Sequence, residues 1–347
     1  MNDATSTKDS KGDSGNADPL YTLFKQRLLA TKLEPRQQII VCLGGGADSQ
    51  TVLDLTDQFR HEFPQFNYLA VHLDHAFHPS SGAWAQGLVD DCQRRNFPMI
   101  CEPLHVASGS RISKEAAGRE ARYQRLSEIA EADALFLLGQ HRNDQIETFL
   151  LQLKRGAGPK GLAAMAMHSY KGDQSWLRPL LDVSKEDIYR YAHAHQLFWV
   201  EDDTNYDTSI ERNFLRHEVV PKLEERWPHF GQAVLRSAQL CSETQQLMEE
   251  LLEDRVKPHI DSHGNLATRW LQQASEQLQR GVLRYWLQTQ QAAIPSFAQL
   301  EQLRTQMLLT TNDANPCVEW ANCSVQRMTA DNKDRLLVLT KKSRWRV

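Results

Sequence analysis

Between residues 38 and 153, short apolar runs alternate with segments in which apolar residues recur at helical spacing. A short apolar run bounded by glycine or polar residues is typical of a buried strand, and a repeat of about 3.6 residues is typical of an amphipathic helix. Alternation of the two favours a doubly wound parallel α/β sheet with helices on both faces. We predict strands at 38–43, 68–73, 99–104 and 134–138, and helices at 49–63, 82–95, 115–130 and 144–153.

Helical spacing replaces this alternation in the second half of the chain, except for two strand-like runs at 323–325 and 336–339. We assign residues 19–215 to the α/β domain. Residues 216–347 are assigned to a helical linker and a small, helical C-terminal domain. Residues 1–18 are rich in Ser, Asp and Lys and nearly free of apolar side chains, so we predict a disordered tail there.

The composition restricts the class of protein. The formal net charge of -4 is typical of a cytosolic protein and does not by itself favour RNA binding. No apolar run is long enough to span a bilayer, so we expect no membrane partner. The six cysteines include no C-x-x-C pair, which gives no support to a zinc or iron–sulfur centre. The basic stretch 327–346 has two interpretations, an RNA-facing patch or a solvated tail.

A glycine-rich turn joins the first predicted strand to the first predicted helix. Glycine permits positive φ and close approach of backbone N–H groups to a ligand, and a helix N-terminus attracts anions. A carboxylate in such a place suits Mg²⁺, which binds phosphates together with one or two protein carboxylates. The alternative is a plain glycine turn with Asp48 or Ser49 as the helix N-cap. The turn consists of Gly44, Gly45, Gly46, Ala47, Asp48 and Ser49.

Acidic residues follow two further predicted strands. Asp74 and His75 come directly after the second strand, at the edge of a parallel sheet where ligands bind. Asp144 and Glu147 are three residues apart on a predicted helix and therefore share one face. Two carboxylates on one face are unfavourable unless they are exposed, paired with cations or bound to metal. The alternative is that they only favour the helix dipole.

Two arginine pairs have helical spacing. Arg119 and Arg122 are three residues apart, and Arg212 and Arg216 are four apart, so each pair is predicted on one helix face. Either pair forms a solvated face or contacts phosphates. An acidic segment at 199–205 precedes the second pair, and it either caps a helix or orders a substrate.

In their order and spacing, these segments resemble the tRNA(Ile)-lysidine synthetases, a family of PP-loop N-type ATP pyrophosphatases. The glycine turn is similar to the family's S-G-G-x-D-S, with Gly44 in place of Ser. The segment 141–148 is similar to H-x-D-D-x-x-E-T, with Asn143 in place of the first Asp. The other resembling segments are 72–76 (H-V-x-H-G, with Leu73 for Val and Ala76 for Gly), 115–123 (E-A-x-A-R-x-x-R-Y), 155–158 (R-G-x-G), 199–205 (W-x-E-D-x-S-N) and 212–221 (R-N-x-x-R-x-x-x-x-P).

The resemblance implies ATP and Mg²⁺ as cofactors, with the metal held by Asp48 and Asp144. The catalytic residues that it implies are Asp48, Asp144, Arg119 and Arg212. The nucleotide-binding residues that it implies are Gly44, Gly45, Gly46, Ala47, Asp48, Ser49, Asp74, His75, His141, Arg155 and Gly156. The substrate-binding residues that it implies are Arg122, Glu147, Thr148, Glu201, Asp202, Asn205 and Arg216.

The resemblance also implies a reaction. Lysine is joined to C2 of the wobble cytidine in the CAU anticodon of tRNA(Ile), through an adenylated tRNA, with release of AMP and pyrophosphate. The implied partners are that tRNA, bound in part by the C-terminal domain, and free lysine in the cytoplasm; family members are often homodimers. Larger members carry one more C-terminal domain, so we expect either a short member or a truncated form.

Two other functions compete with this one. A tRNA thiolase shares the PP-loop, but it needs C-x-x-C cysteines or a persulfide-carrying domain, and the sequence has neither. A catalytically weak paralogue that only binds tRNA or nucleotide is favoured by Gly44 in the PP-loop.

Overall fold

The computed structural model describes residues 18–74, 78–104, 114–310, 316–329 and 335–341. The chain divides into two compact units, one ending at Leu240 and the other beginning at Cys241. The predicted tail therefore lies almost wholly outside the described residues, as does His75. Within the described residues, no helix combines the length and the apolar character needed to cross a membrane.

The first unit is built from alternating strands and helices. Its elements are α1 (Pro19–Ala30), β1 (Gln38–Leu43), α2 (Ala47–Glu62), β2 (Asn67–Asp74), α3 (Ser81–Arg94), β3 (Met99–Pro103), α4 (Lys114–Ile129), β4 (Leu135–Leu137), α5 (Arg142–Lys154), α6 (Pro159–Leu162), β5 (His168–Lys171), β6 (Gln174–Leu177), α7 (Lys185–Ala194), α8 (Glu211–Phe214), α9 (Val220–Arg226) and the first part of α10 (Phe230–Val256). A 3₁₀ turn at Asp203–Tyr206 and a π-helical turn at Leu215–Val219 complete it.

The strands form one six-stranded sheet in the order β3-β2-β1-β4-β6-β5. All neighbouring pairs are parallel except β5 with β6, which form an antiparallel hairpin at one edge. The four predicted strands correspond to β1–β4, and the predicted parallel α/β fold is confirmed. The β5–β6 hairpin was not predicted from the sequence.

The sheet is buried on both faces because its strands are apolar at successive positions. In β1, Ile39 and Val41 pack on one face with α1, α2, α3 and α7, while Ile40 packs on the other. Successive strand residues point to opposite faces, which explains this division. On the second face, Leu126 of α4 belongs to the same buried cluster as Phe136 and Trp176. The rings of Phe136 and Trp176 stack with centroids 3.9 Å apart.

Parallel strands bring their carboxyl ends to one edge of the sheet. β1 lies between β2 and β4, with Val41 aligned to Ala70 on one side and to Leu137 on the other. The segments that follow these strands therefore start side by side. They contain the glycine turn, Asp74 and His141.

The second unit contains the rest of α10, two further helices and an antiparallel sheet in the order β7-β10-β9-β8. Its elements are β7 (Leu266–Ala267), α11 (Glu276–Thr289), α12 (Phe297–Arg304), β8 (Cys317–Trp320), β9 (Cys323–Thr329) and β10 (Arg335–Lys341). The two predicted strand-like runs lie within β9 and β10. Trp286, which is fully buried, belongs to the core of this unit.

The basic stretch of the second unit begins with a structural arginine. Arg327 is only 4% exposed, and its guanidinium donates to the carbonyl oxygens of Met307 (3.3 Å) and Thr310 (2.8 Å). Arg335 also donates to the carbonyl of Thr310, at 3.2 Å. The interpretation of Arg327 as part of an RNA-facing patch is therefore wrong, because its charge is directed at backbone carbonyls. Residues 342–346 of the stretch lie outside the described residues.

Candidate active site

The glycine turn between β1 and α2 has the geometry of an open anion site. Gly45 has φ +92°, and Gly46 is the N-cap of α2 and has no side chain to cap the first turn. The Asp48 carboxylate accepts from the backbone N–H groups of Asp48 and Ser49. The turn is closed by the Ser49 hydroxyl, which accepts from the Gly44 N–H (3.2 Å) and donates to the Gly46 carbonyl (3.0 Å). The alternative in which Asp48 or Ser49 is the N-cap is excluded, because both lie inside the helix. A helix N-terminus without an N-cap side chain suits an anion.

Gly139, which follows β4, allows this turn to lie close to the neighbouring strand. A Cβ at this position would lie 3.0 Å from the backbone nitrogen of Ser49 and 3.2 Å from Oδ2 of Asp48. The backbone at Ser49 cannot yield without moving the start of α2. The sequence analysis missed Gly139, although a glycine directly after a buried strand is a signal of close backbone approach.

The start of α5 positions a second carboxylate beside the turn. His141 is the N-cap of α5: its ring accepts from the N–H of Asn143 at 3.2 Å, and Asp144 accepts from the His141 N–H at 3.0 Å. Asp48 and Asp144 line the same cavity, which has an empty volume of about 790 Å³. We call it the first cavity. Burial raises the pKa of Asp48; the cationic form of His141 opposes this rise, and the charge of Asp144 adds to it.

A pair of arginines neutralises the buried face of α5. Glu147 is only 1% exposed, and Arg216 binds it through two bonds of 2.7 and 3.0 Å while also reaching Asp144 at 3.3 Å. Arg212 lies 3.3 Å from Glu147 and donates to the hydroxyl of Thr148 at 2.8 Å. Burial raises the pKa of Glu147, and Arg216 and Arg212 oppose that rise. The prediction that these arginines contact phosphates is untested, but the structure directs them to carboxylates and a hydroxyl of α5.

The segment that follows Val200 lines the first cavity with acidic residues. Glu201, Asp202 and Asn205 all contribute to its wall. Their role in substrate binding stays a prediction. The Val200 N–H donates to the Gly45 carbonyl at 2.9 Å, which fastens this segment to the glycine turn. Residues of the first cavity that the sequence analysis missed are Lys185, Ile188, Tyr189, Val200, Tyr206 and His217.

A second cavity, with an empty volume of about 1160 Å³, also borders the glycine turn. Asp74 and Arg122 line it, and Asp74 accepts from the hydroxyl of Ser81 at 3.1 Å. The sequence analysis missed the stacked rings of His78 and Trp84, whose centroids are 4.3 Å apart in its wall. The other predicted residues in its lining are Gly44, Gly45, Gly46, Asp48, Asp202 and Asn205.

Three predicted residues lie elsewhere in the first unit. Arg119 lies over the ring of Tyr123 and lines a separate groove next to the β5–β6 hairpin. Arg155 is the C-cap of α5, and Gly156 follows it with φ +68°. A helix rises about 1.5 Å per residue, so Arg155 lies roughly 16 Å along the axis from Asp144. The roles of these three residues at the nucleotide site stay predictions.

Asn143, which departs from the family pattern, has a structural partner. Its side-chain oxygen accepts from the N–H of Lys185 at the start of α7, at 3.2 Å. An amide oxygen and a carboxylate oxygen both accept hydrogen bonds, so this contact does not need the Asp of the family pattern.

Comparison with known proteins agrees with this geometry. Residues 20–223 match the family model of the PP-loop domain, and residues 266–329 match that of the TilS substrate binding domain. A tRNA(Ile)-lysidine synthase from Idiomarina loihiensis is 53% identical over 310 residues, covering 89% of this chain and 69% of the relative. The chain belongs to the tRNA(Ile)-lysidine synthases. It is therefore a ligase that forms carbon–nitrogen bonds, with an ATP-binding PP-loop domain.

Other relatives support the same family. The lysidine synthase of Vibrio cholerae is 43% identical over 316 residues, covering 89% of this chain and 70% of the relative. Among solved structures, a tRNA thiolase from Methanococcus maripaludis superposes with a TM-score of 0.55 at 14% identity, covering 64% of this chain and 78% of that one. The similarity to the thiolase concerns the fold alone. The relatives found by sequence are lysidine synthases and not thiolases.

Gly139→Ala tests the close approach of β4 to the PP-loop. We expect kcat/KM for ATP to fall roughly tenfold, because displacing the start of α2 misplaces the triphosphate. Steady-state kinetics with purified full-length protein would measure this. Gly82→Ala is the matched control, since a Cβ at Gly82 would meet no atom within 4 Å. An unchanged kcat/KM in Gly139→Ala would show that the contact is not needed.

Glu147→Gln tests the charge balance on α5. We expect the free energy of unfolding to fall by about 2 kcal/mol, because two partly buried guanidinium groups lose their counter-charge. Urea denaturation of the full chain measures the change. The exposed pair of Lys154 and Glu211 provides the control, and Glu211→Gln is expected to cost less than about 1 kcal/mol. Equal effects of the two substitutions would contradict the assignment.

Proposed function

We propose that the chain joins lysine to C2 of the wobble cytidine in the CAU anticodon of tRNA(Ile), using ATP to adenylate the tRNA first. AMP and pyrophosphate are released, and the cytidine becomes lysidine. The observation that carries this proposal is the meeting of the PP-loop at the start of α2 with Asp48 and Asp144 at one cavity. That arrangement combines a phosphate site with two carboxylates, and activation by a nucleoside triphosphate needs both.

In the adenylation half of the reaction, the PP-loop would bind the triphosphate through the N–H groups at the start of α2. Asp48 and Asp144 fit a Mg²⁺ ion, because burial and mutual repulsion disfavour two ionised carboxylates in one cavity unless a cation joins them. Within the described residues, no group of three or more His, Cys, Asp or Glu side chains forms a complete metal site. Phosphate oxygens of the nucleotide would therefore complete the coordination, as is usual for Mg²⁺. When bound, the ion would neutralise charge on the departing pyrophosphate.

In the ligation half, the first cavity would receive lysine. Glu201 and Asp202 supply acidic side chains for its ammonium groups, and the amine would attack C2 as AMP leaves. The proton of the amine would pass to a carboxylate, for which Asp48, Asp144 and Glu201 are the candidates. The wobble base has to leave its stack to reach this place, which is easier in an anticodon loop than in a duplex.

The second unit is proposed to contact the tRNA, since residues 266–329 match a substrate binding domain. We place the protein in the cytoplasm, where its tRNA and free lysine are found, and all six cysteines are free thiols. The assignment of residues 216–347 to a linker and a tRNA-binding domain stays a prediction, and so does assembly as a homodimer.

Pyrophosphate release and lysine incorporation test the proposal. Purified protein with ATP, Mg²⁺, labelled lysine and the CAU-anticodon tRNA(Ile) is expected to release pyrophosphate and to label the tRNA. Asp144→Asn is expected to lower kcat/KM for pyrophosphate release at least about 100-fold, because one of the two carboxylates that would hold Mg²⁺ is lost. The exposed Asp90 of α3 provides the control, and Asp90→Asn is expected to act like the wild type.

Three results would contradict the proposal in different ways. Binding of tRNA without lysine incorporation would indicate a catalytically weak paralogue. Pyrophosphate release that needs a sulfur donor would indicate a thiolase. Full activity of Asp144→Asn would remove Asp144 from the mechanism.

Gly44→Ser tests whether the departure from the family PP-loop weakens nucleotide binding. A Cβ at Gly44 would meet no atom within 4 Å, so the turn accommodates serine. We expect ATP to bind about fivefold more tightly, which corresponds to one net hydrogen bond of about 1 kcal/mol. Calorimetric titration with ATP and Mg²⁺ measures the affinity. Gly45→Ser is the contrasting variant, expected to weaken binding because the φ of +92° disfavours any side chain. Unchanged affinity in Gly44→Ser would show that the hydroxyl is dispensable.

A further inference from the structure

One short segment contributes to the lining of both cavities. We define the acidic loop as residues 201–207. Asp202 and Asn205 line both cavities, Glu201 and Tyr206 line only the first, and Thr204 lines only the second. A shift of this loop would change the shape of both cavities at once.

The acidic loop is held by hydrogen bonds and by the stack of Tyr206 on His217, whose ring centroids are 5.3 Å apart. Apart from the half-buried Asp202, its residues are exposed. Segments with few buried contacts open easily unless polar contacts restrain them. The side chain of Asp203 reaches back to His78, with Oδ1 and Nε2 3.3 Å apart.

The buried side chain of Asn213 restrains the acidic loop through two hydrogen bonds. It lies in α8, is 6% exposed, and its amide nitrogen donates to the carbonyl oxygens of Thr204 and Asp207, both at 3.0 Å. One turn further along, a ring nitrogen of His217 bonds to the carbonyl of Asn205 at 2.8 Å. Both hydrogens of the Asn213 amide are therefore used to fix the two ends of the 3₁₀ turn in the loop.

The same helical segment is anchored to α5. Arg212 and Arg216, which flank Asn213 in sequence, bind Glu147 and Thr148. Asn213 thus connects the position of the acidic loop to the helix that carries Asp144. Asn213 lies within the segment 212–221 that resembles the family, and no role was predicted for it.

We propose that Asn213 is a positioning residue for the ligation half of the reaction: it holds the wall that closes the first cavity around the incoming amine. The inference rests on the proposed function. The nucleotide side of the wall has its own support, because the Val200 N–H is bonded to the Gly45 carbonyl. Loss of the Asn213 contacts is therefore expected to affect lysine more than ATP.

Asn213→Asp is the decisive variant, because aspartate has the same shape but cannot donate to the two carbonyls. We expect KM for lysine to rise roughly tenfold or more, as loosened positioning groups do. The dissociation constant for ATP and the rate of pyrophosphate release with tRNA are expected to stay within about threefold of the wild-type values. Full-length protein with ATP, Mg²⁺, tRNA(Ile) and varied lysine is used for both measurements.

Asn67→Asp is the matched control. Asn67 is an exposed asparagine at the opposite end of β2, and its amide nitrogen donates to the carbonyl of Arg36 at 2.9 Å. The Asn67→Asp substitution removes a hydrogen bond of the same kind at a place away from both cavities. We expect wild-type KM values for lysine and ATP in this variant.

Hydrogen–deuterium exchange of residues 201–210 gives a readout that does not depend on activity. Exchange there is expected to accelerate in Asn213→Asp and to stay unchanged in Asn67→Asp. If Asn213→Asp does not fold, His217→Phe, which keeps a ring next to Tyr206 but loses the bond to Asn205, is expected to give the same direction of change.

The inference is overturned if exchange and KM for lysine stay at wild-type values in the folded variant. An equal loss in both half-reactions with faster exchange throughout the first unit also overturns it, because that result describes a general loss of stability. A third outcome separates the two proposals. If the wild-type protein incorporates no lysine, but exchange at 201–210 is faster in Asn213→Asp, then Asn213 does position the loop and the proposed reaction is rejected.

Discussion

The parallel register of β1 between β2 and β4 is the constraint on which the site depends. Because the three strands run in the same direction, the segments after them begin at one edge of the sheet. The glycine turn, Asp74 and His141 are far apart in sequence and become neighbours for this reason alone. Gly139 completes the arrangement, since any larger residue would push β4 away from the start of α2.

Charge balance decides which carboxylates are left for chemistry. Three acidic side chains, Asp48, Asp144 and Glu147, meet near the start of α5. Glu147 has two arginine partners, Arg216 at 2.7 Å and Arg212 at 3.3 Å, whereas Arg216 reaches Asp144 at 3.3 Å. Burial of Asp48 next to Asp144 raises its pKa. The protein therefore neutralises the deepest carboxylate itself and leaves two at the cavity, which is the distribution that a phosphate-bound cation would require.

Much of the fold and part of the site were predictable from residue patterns. The strands β1–β4 correspond to short apolar runs, a local pattern that can be recognised in the sequence without knowledge of tertiary contacts. The β5–β6 hairpin contains His168, Lys171 and Gln174, so its strands lack that pattern. It is stabilised by pairing with β4 and by the stack of Trp176 on Phe136, which are contacts distant in sequence. The partners of Arg212 and Arg216 escaped prediction for the same reason.

The sequence by itself determined the parallel α/β class, the glycine turn at the end of β1 and the pairs of side chains that share a helix face. These properties follow from the periodicity of neighbouring residues and from glycine's freedom of φ. The tertiary structure alone decided that Arg119 lines a separate groove, that Arg216 faces Glu147, and that Asn213 bonds to the acidic loop. Those outcomes depend on which distant segments pack together, and local spacing carries no information about which buried group will supply a counter-charge or a hydrogen bond.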